Sequence, residues 1–243
     1  MLLTKKIKSL ALRLLESRGY CVSYGEPATF AGIITAFNKR DREFFFVQIG
    51  AYDGKVDDPI QQFVRERHWK GLLVEPQPDA FGRLRLNYEG YPGLLFENAA
   101  IAAEGGFLPF HRLKDEYASL FHGDRGTLAS LDPEHILKHL SKSVEASEAL
   151  EVTEIACLTF SSLLAKHGIA HVDLLQIDAE GQDDEIIRSI DFEAVKPEII
   201  RFEHAHIDGL RKSECIELLL AQNYKIVVGA YDVTAFQSRW MYD

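Results

Sequence analysis

Two segments carry the side chains best suited to moving a proton. Asp178 and Glu180 stand two residues apart after an apolar run, and an extended backbone points both the same way. Glu203-His-Ala-His206 closes a second run, and His204 and His206 share a face if the extension continues. Histidine titrates nearest neutrality. His204 or His206 therefore reads as a base for a hydroxyl proton, with Asp178, Glu180 and Glu203 orienting the acceptor. The plainer alternatives are an Asp178 that caps the following helix, a solvated Glu180, and histidines that only bond a loop.

The spacing His204-Ala-His206-Ile-Asp208 also fits the HxHxD pattern of binuclear metallo-hydrolases. That pattern carries a further histidine after the aspartate, where this chain has Gly209, and no later histidine completes a ligand set. His135 and His139, one helical turn apart, could bind metal, but such a pair reads first as solvated neighbours. No metal ligand set is assigned. A divalent ion on Asp178, Glu180 and Glu203 stays open, since carboxylates suit magnesium or calcium.

A third constellation suggests a nucleotide cofactor. Gln48-Ile-Gly50-Ala-Tyr-Asp53-Gly54 follows an apolar strand and leads to a helix, so its glycines let backbone approach a ligand. Glu75 ends the next strand, 25 residues after Gly50, where a carboxylate can accept both ribose hydroxyls of an adenosine. NAD shares that grip, but Tyr52 and Lys55 occupy two of the three glycine positions of the dinucleotide fingerprint. A ligand without a pyrophosphate is favoured, and S-adenosylmethionine is the commonest one.

The elements that must position these residues alternate. Strands are expected over 43–49, 71–75, 94–96, 152–157, 172–178, 198–203, 224–228 and 233–237. Helices are expected after Asp58 and Pro59, around Phe81 and Leu84, and over 161–167, 183–190 and 213–222. The alternation breaks between 105 and 152, where a short strand over 107–111 and a helix over 131–140 are expected in an irregular insertion. That insertion reads as a lid or acceptor-specificity element. The fold class is α/β: a Rossmann-like, seven-stranded, mostly parallel doubly wound sheet, with ligands at the carboxyl ends of its strands. Residues 1–43 form an N-terminal helical extension and 44–243 the main domain. Leu3, Ile7, Leu10, Leu14 and Leu15 recur at helical spacing, which fits a packing helix better than a peripheral membrane contact.

Composition narrows the partners. The chain has 243 residues, 47% hydrophobic, with 27 basic against 37 acidic residues and a net charge of −10. Disordered and collagen-like classes are excluded, and a sequence-independent nucleic-acid binder would need a basic footprint. No apolar run approaches the length of a membrane span. Cys21, Cys157 and Cys215 show no disulfide or metal spacing, so a reducing cytoplasm fits best. Homo-oligomerisation stays open.

Five blocks in order carry a family resemblance: Phe46-Val-Gln-Ile-Gly-Ala-Tyr-Asp-Gly54; Val74-Glu-Pro76 with Phe81 and Leu84; Asn98-Ala-Ala-Ile101; Leu174-Leu-Gln-Ile-Asp-Ala-Glu-Gly181; and Ile200-Arg-Phe-Glu203. Over about residues 44–230 the chain resembles the FkbM family of S-adenosylmethionine-dependent methyltransferases. The resemblance implies a sheet of the class I methyltransferase type and O-methylation of a sugar, polyketide or other small-molecule or glycan acceptor. By the same resemblance Gly50, Ala51, Asp53 and Gly54 form the cofactor loop, and Gln48 and Pro76 flank it. Glu75 binds ribose, and Asn98 and Ala99 lie beside adenine. The chain departs from the pattern at Gln48 and Tyr52, where the family often has Asp and Asn, and at Thr159-Phe-Ser161, where it has Thr-Leu-Asp. A nicotinamide-dependent oxidoreductase and a non-catalytic binding module on the same fold are the competing readings.

Overall fold

The structure is a computed structural model that describes residues 29–37, 43–120, 129–140 and 146–237. The expected amphipathic helix near Leu3 to Leu15 and Cys21 lie outside the described residues.

The apolar runs form the interior of one sheet. Strands β1 (Phe45–Ile49), β2 (Lys70–Val74), β3 (Leu94–Glu97), β8 (Leu174–Ile177), β9 (Ile199–Glu203), β10 (Tyr224–Val228) and β11 (Asp232–Gln237) are ordered β10-β11-β9-β8-β1-β2-β3. β1 pairs in parallel with β2 and with β8, whereas β11 runs antiparallel between β9 and β10. Chain order reverses between β1 and β8, and in such sheets the crevice at the reversal receives the ligand. Residues alternate across the sheet: Val47 and Ile49 enter one apolar layer and Phe46 the other.

Helices cover both faces. On the Phe46 side lie α1 (Phe30–Phe37), α2 (Gln61–Arg67) and α3 (Pro78–Asn87), which contribute Ile34, Phe37, Val64 and Leu84 to the core. On the other side lie α6 (Phe160–His167), α7 (Asp183–Arg188) and α8 (Gly209–Ala221), with Leu163, Ile186, Ile187 and Leu219 buried. Asp58 accepts from the backbone N–H groups of Ile60 and Gln61 at 2.9 and 3.0 Å, but α2 starts at Gln61, two residues later than Pro59 in the first helical position would place it. Helix α8 begins earlier than expected, because Asp208 accepts from Leu210 N and Arg211 N at 2.9 and 3.1 Å. The aspartate of the HxHxD spacing is thus a helix cap.

The insertion is more regular than expected. Strands β4 (Ala100–Ile101), β5 (Gly106–Leu113), β6 (Ala129–Ser130) and β7 (Leu150–Leu158) form a second sheet, ordered β4-β7-β5-β6. β5 and β7 pair antiparallel from Gly106↔Cys157 to Leu113↔Leu150. Pro109 is tolerated inside β5 because β6 pairs only with His111 and Arg112. Among the described residues the insertion also carries a 3-10 turn (Asp115–Leu120) and two short helices, α4 (Pro133–Lys138) and α5 (Ala146–Ala149). Among the described residues no helix is long and apolar enough to cross a membrane.

Candidate active site

A cavity of about 510 Å³ opens at the carboxyl ends of β1, β2, β8 and β9, a size typical of small-molecule sites. The turn after β1 forms one wall. Gly50 and Ala51 both donate to the Val74 carbonyl at 3.0 Å, tying that turn to β2. Gly50 has φ +76, and a Cβ there would lie 1.8 Å from the Asp178 carbonyl oxygen, so the glycine is required by the close approach of β8.

Glu75 is 3% exposed and sits behind the same turn. Its two carboxylate oxygens accept from Tyr52 N at 2.9 Å and Gln77 N at 2.8 Å. Burial lifts its pKa to about 7 against the pull of those donors. Tyr52 reaches Glu75 by adopting a left-handed backbone, φ +45, which is uncommon for a side chain of its size. Asn98 holds Glu75 from below, its Nδ2 donating to the Glu75 and Pro76 carbonyls at 2.8 and 3.1 Å. Gln48, Gly50, Ala51, Glu75, Pro76 and Ala99 line the cavity.

Asn98, Asp53 and Gly54 lie outside that lining and shape the turn. Asp53 accepts from Lys55 N and Val56 N, and Gly54 fits against Tyr88 and Leu84 of the α3 region. Thr159, in the block where the chain departs from the family pattern, caps α6 through Ser162 N at 3.1 Å.

The acidic cluster faces Glu75 from the far side. Asp178 and Glu180 both line the cavity, but not for the expected reason. β8 ends at Ile177, and Glu180 turns at φ +49, so a tight turn brings them together instead of an extended strand. The turn is fixed by Asp183, which is buried and accepts from Ala179 N at 3.2 Å and Glu203 N at 3.1 Å. Burial raises the pKa of Asp178 to about 6, and of Glu180 and Glu203 to about 8; repulsion from Asp232 and Asp57 adds to Asp178, from Asp178 to Glu180, and from Asp178, Glu180 and Asp232 to Glu203. Asp183 is raised for the same reasons. Gly181, at φ +92, packs against His135, whose Nδ1 a Cβ there would meet at 3.1 Å.

The two histidines expected on one face diverge, because β9 stops at Glu203 and a turn follows. His204 Nε2–H donates to the Gly229 carbonyl at 3.1 Å, its backbone N–H donates to Tyr231 O at 2.7 Å, and it stands outside the cavity lining. His206 lines the cavity, with Nε2 3.5 Å from Glu203 Oε1. Burial and the neighbouring His135, His139 and Lys138 depress its pKa to about 4. His135 and His139 are not a solvated pair: their rings lie 4.7 and 5.0 Å from the ring of His206. His135 is 1% exposed, and its Nε2 lies within hydrogen-bond distance of Glu180 Oε2 at 2.7 Å.

Other lining residues left weaker traces in the sequence. Arg201 donates to Gln176 Oε1 at 3.1 Å and to Asp232 Oδ2. Its one signal is a charge inside the buried run Ile-Ile-Arg-Phe-Glu. Ser130, from the insertion, donates its hydroxyl to the Glu180 carbonyl at 2.8 Å. Asp57, Asp58, Glu75, Asp178, Glu180, Glu203 and Asp232 line the cavity against one guanidinium, Arg201. An acid-rich wall of this kind suits a cationic ligand.

The seven-stranded order with one antiparallel strand near its edge, and a cavity at the point of reversal, define an α/β fold of the class I methyltransferase type. The sequence profile of the Methyltransferase FkbM domain matches residues 48–226, and the chain belongs to that family. None of the curated proteins matches it. Similar solved structures include methyltransferase FkbM from Methylobacillus flagellatus KT, 12% identical, covering 81% of this chain and 44% of that one, at a TM-score of 0.47. Precorrin-6y C5,15-methyltransferase from Geobacter metallireducens GS-15 is 11% identical over 90% of this chain and 95% of its own, at a TM-score of 0.42. Human methyltransferase 10 domain containing protein is 9% identical over 96% and 95%, at a TM-score of 0.44.

Proposed function

We propose that the protein is an S-adenosylmethionine-dependent O-methyltransferase acting on a hydroxyl of a sugar, polyketide or other small metabolite. One observation carries this reading: the family's cavity has the buried Glu75 on one wall and the carboxylates Asp178, Glu180 and Glu203 on the other. The residues suit the cofactor. Gln48 Oε1 is buried on the lining with no hydrogen-bond partner among the described residues, and the acids complement a sulfonium. When bound, S-adenosylmethionine supplies an electrophilic methyl group whose sulfur departs as a neutral thioether.

The chain's own residues do the rest. Glu75 retains lone pairs for ribose hydroxyls beyond its two backbone bonds. Alignment of acceptor and methyl supplies most of the acceleration, and a base for the hydroxyl proton adds about 10² to 10⁴-fold. His206 is neutral but, with a pKa of about 4, a weak base. Glu203, on the lining with a pKa of about 8, is largely protonated at neutral pH in the ligand-free protein; a bound sulfonium favours its ionised form, which takes the hydroxyl proton as the new O–CH₃ bond forms. The acceptor lies toward the insertion, whose Phe110, Ala129, Ser130 and Leu131 line the cavity. The buried thiols Cys157 and Cys215 suit a reducing cytoplasm.

Calorimetry with S-adenosylmethionine and with NAD tests the cofactor. Heat from the first and none from the second is expected, and tight NAD binding alone would sink the reading. Label transfer from methyl-labelled S-adenosylmethionine into a metabolite extract then identifies the acceptor. Cofactor binding with no transfer to any hydroxyl compound would mark a binding module or another acceptor atom.

A further inference from the structure

We propose that His135, His139 and His206 together bind one divalent transition-metal ion of the zinc class at the cavity wall, beside Glu180 and Glu203. Each of the three rings offers a nitrogen within 4.8 Å of one from each of the others. Tetrahedral zinc with Zn–N bonds of about 2.0–2.1 Å needs nitrogens roughly 3.3 Å apart, so side-chain shifts of about 1.5 Å or less close the cluster. His139 and His206 are partly buried, whereas His135 is 1% exposed.

His135 supplies the independent sign of a ligand. Its Nε2 lies 2.7 Å from Glu180 Oε2, and its Nδ1 is buried with no hydrogen-bond partner among the described residues. A ring that donates one nitrogen's hydrogen to a carboxylate and leaves the other nitrogen's lone pair unshared is the arrangement found in metal-ligating histidines. Glu203 Oε1, 3.5 Å from His206 Nε2, adds an oxygen beside the cluster. Three imidazoles select zinc, cobalt, nickel, copper or iron, whereas magnesium and calcium prefer all-oxygen sites. The set is invisible to motif reading because two ligands come from α4 of the insertion and the third follows β9 of the main sheet. An ion there staples the insertion to the sheet edge. Its chemical role rests on the methyltransferase reading: coordination of the acceptor hydroxyl would lower its pKa and ease proton loss to Glu203.

The test uses the full chain, stripped with a chelator, dialysed and titrated with Co²⁺ and then Zn²⁺. One Co²⁺ per chain is expected, with the visible ligand-field bands of a nitrogen-ligated site, displacement by Zn²⁺ and a metal-dependent rise in melting temperature. His139→Ala should weaken Co²⁺ binding by about 100-fold or more, a larger loss than an outer-shell change produces. Unfolding of that variant near the parent's metal-free melting temperature establishes that it is folded. Absent Co²⁺ binding, or affinity unchanged in both His139→Ala and His206→Ala, overturns the site. No turnover is read, so metal binding without S-adenosylmethionine binding would defeat the methyltransferase reading and leave the metal site standing.

Discussion

Glu75 and Glu203 are both carboxylates raised by burial, yet their settings assign them different work. Glu75 is fixed by two backbone donors and cannot swing, so its value lies in position. Glu75→Gln keeps the shape but exchanges a charged acceptor for a neutral one. Hydrogen bonds to charged groups are worth about 1.5–3 kcal/mol, so S-adenosylmethionine should bind roughly 10- to 100-fold more weakly, as read by calorimetry. An unchanged affinity would remove Glu75 from the ribose. Glu203→Gln should behave oppositely, leaving cofactor affinity within a few-fold and cutting turnover by about 10² to 10⁴-fold. Full turnover in that variant would return the base to His206 or Glu180. Asp208, which sequence spacing groups with His204 and His206, only caps α8, so Asp208→Ala should lower the melting temperature and leave methyl transfer intact. A collapse of turnover with unchanged melting would revive the HxHxD reading.

At the scale of elements, what was legible in the sequence was what is local. Phe46 and Val47 sit in a short apolar run of the length of a strand buried on both faces, and Asp58-Pro59 marks the approach to a helix. Glu75 was legible because strand, turn and helix follow one another within about thirty residues in a βαβ unit. The second sheet was not: strands are expected near both β5 and β7, but their pairing joins residues at least 37 positions apart, which no local pattern reports. The same holds for His206, which meets His135 only because the insertion folds back over the sheet edge. Extension was carried too far at Asp178–Glu180 and His204–His206, since strand ends are set by neighbours and β8 and β9 stop where their pairing stops. Gly50 shows how closely these ends meet. Gly50→Ala puts a Cβ against the Asp178 carbonyl at φ +76, so local strain of about 1–2 kcal/mol adds to a clash that must move β8. Urea unfolding should show a clear loss of stability, together with weaker cofactor binding. A variant as stable as the parent would mean that the β1 and β8 ends are not locked together.

For the whole molecule, the buried acids make stability depend on pH with a definite sign. Glu180 and Glu203 carry pKa values of about 8 in the folded chain against about 4.3 for an unfolded glutamate. Between those values the folded chain holds protons that the unfolded chain has lost, so stability falls as pH rises. Glu75 at about 7, Asp178 at about 6 and the raised Asp183 act in the same direction. His206, depressed to about 4, opposes them, because the unfolded ring binds a proton that the folded one does not between about 4 and 6.5. The opposition ends above about pH 6.5, and the carboxylates then dominate. The melting temperature of the ligand-free protein should therefore drop between about pH 6.5 and 8.5. Glu180→Gln should shrink the drop by removing one of the groups that titrate near 8. A cationic ligand favours the ionised acids, so S-adenosylmethionine should flatten the dependence, and its stabilising effect should grow with pH. Melting curves at three pH values, with and without the cofactor, measure all of this. A melting temperature that rises through that range would mean that the carboxylates facing the cavity are ionised without a bound cation, and that the site is wetter than its burial implies.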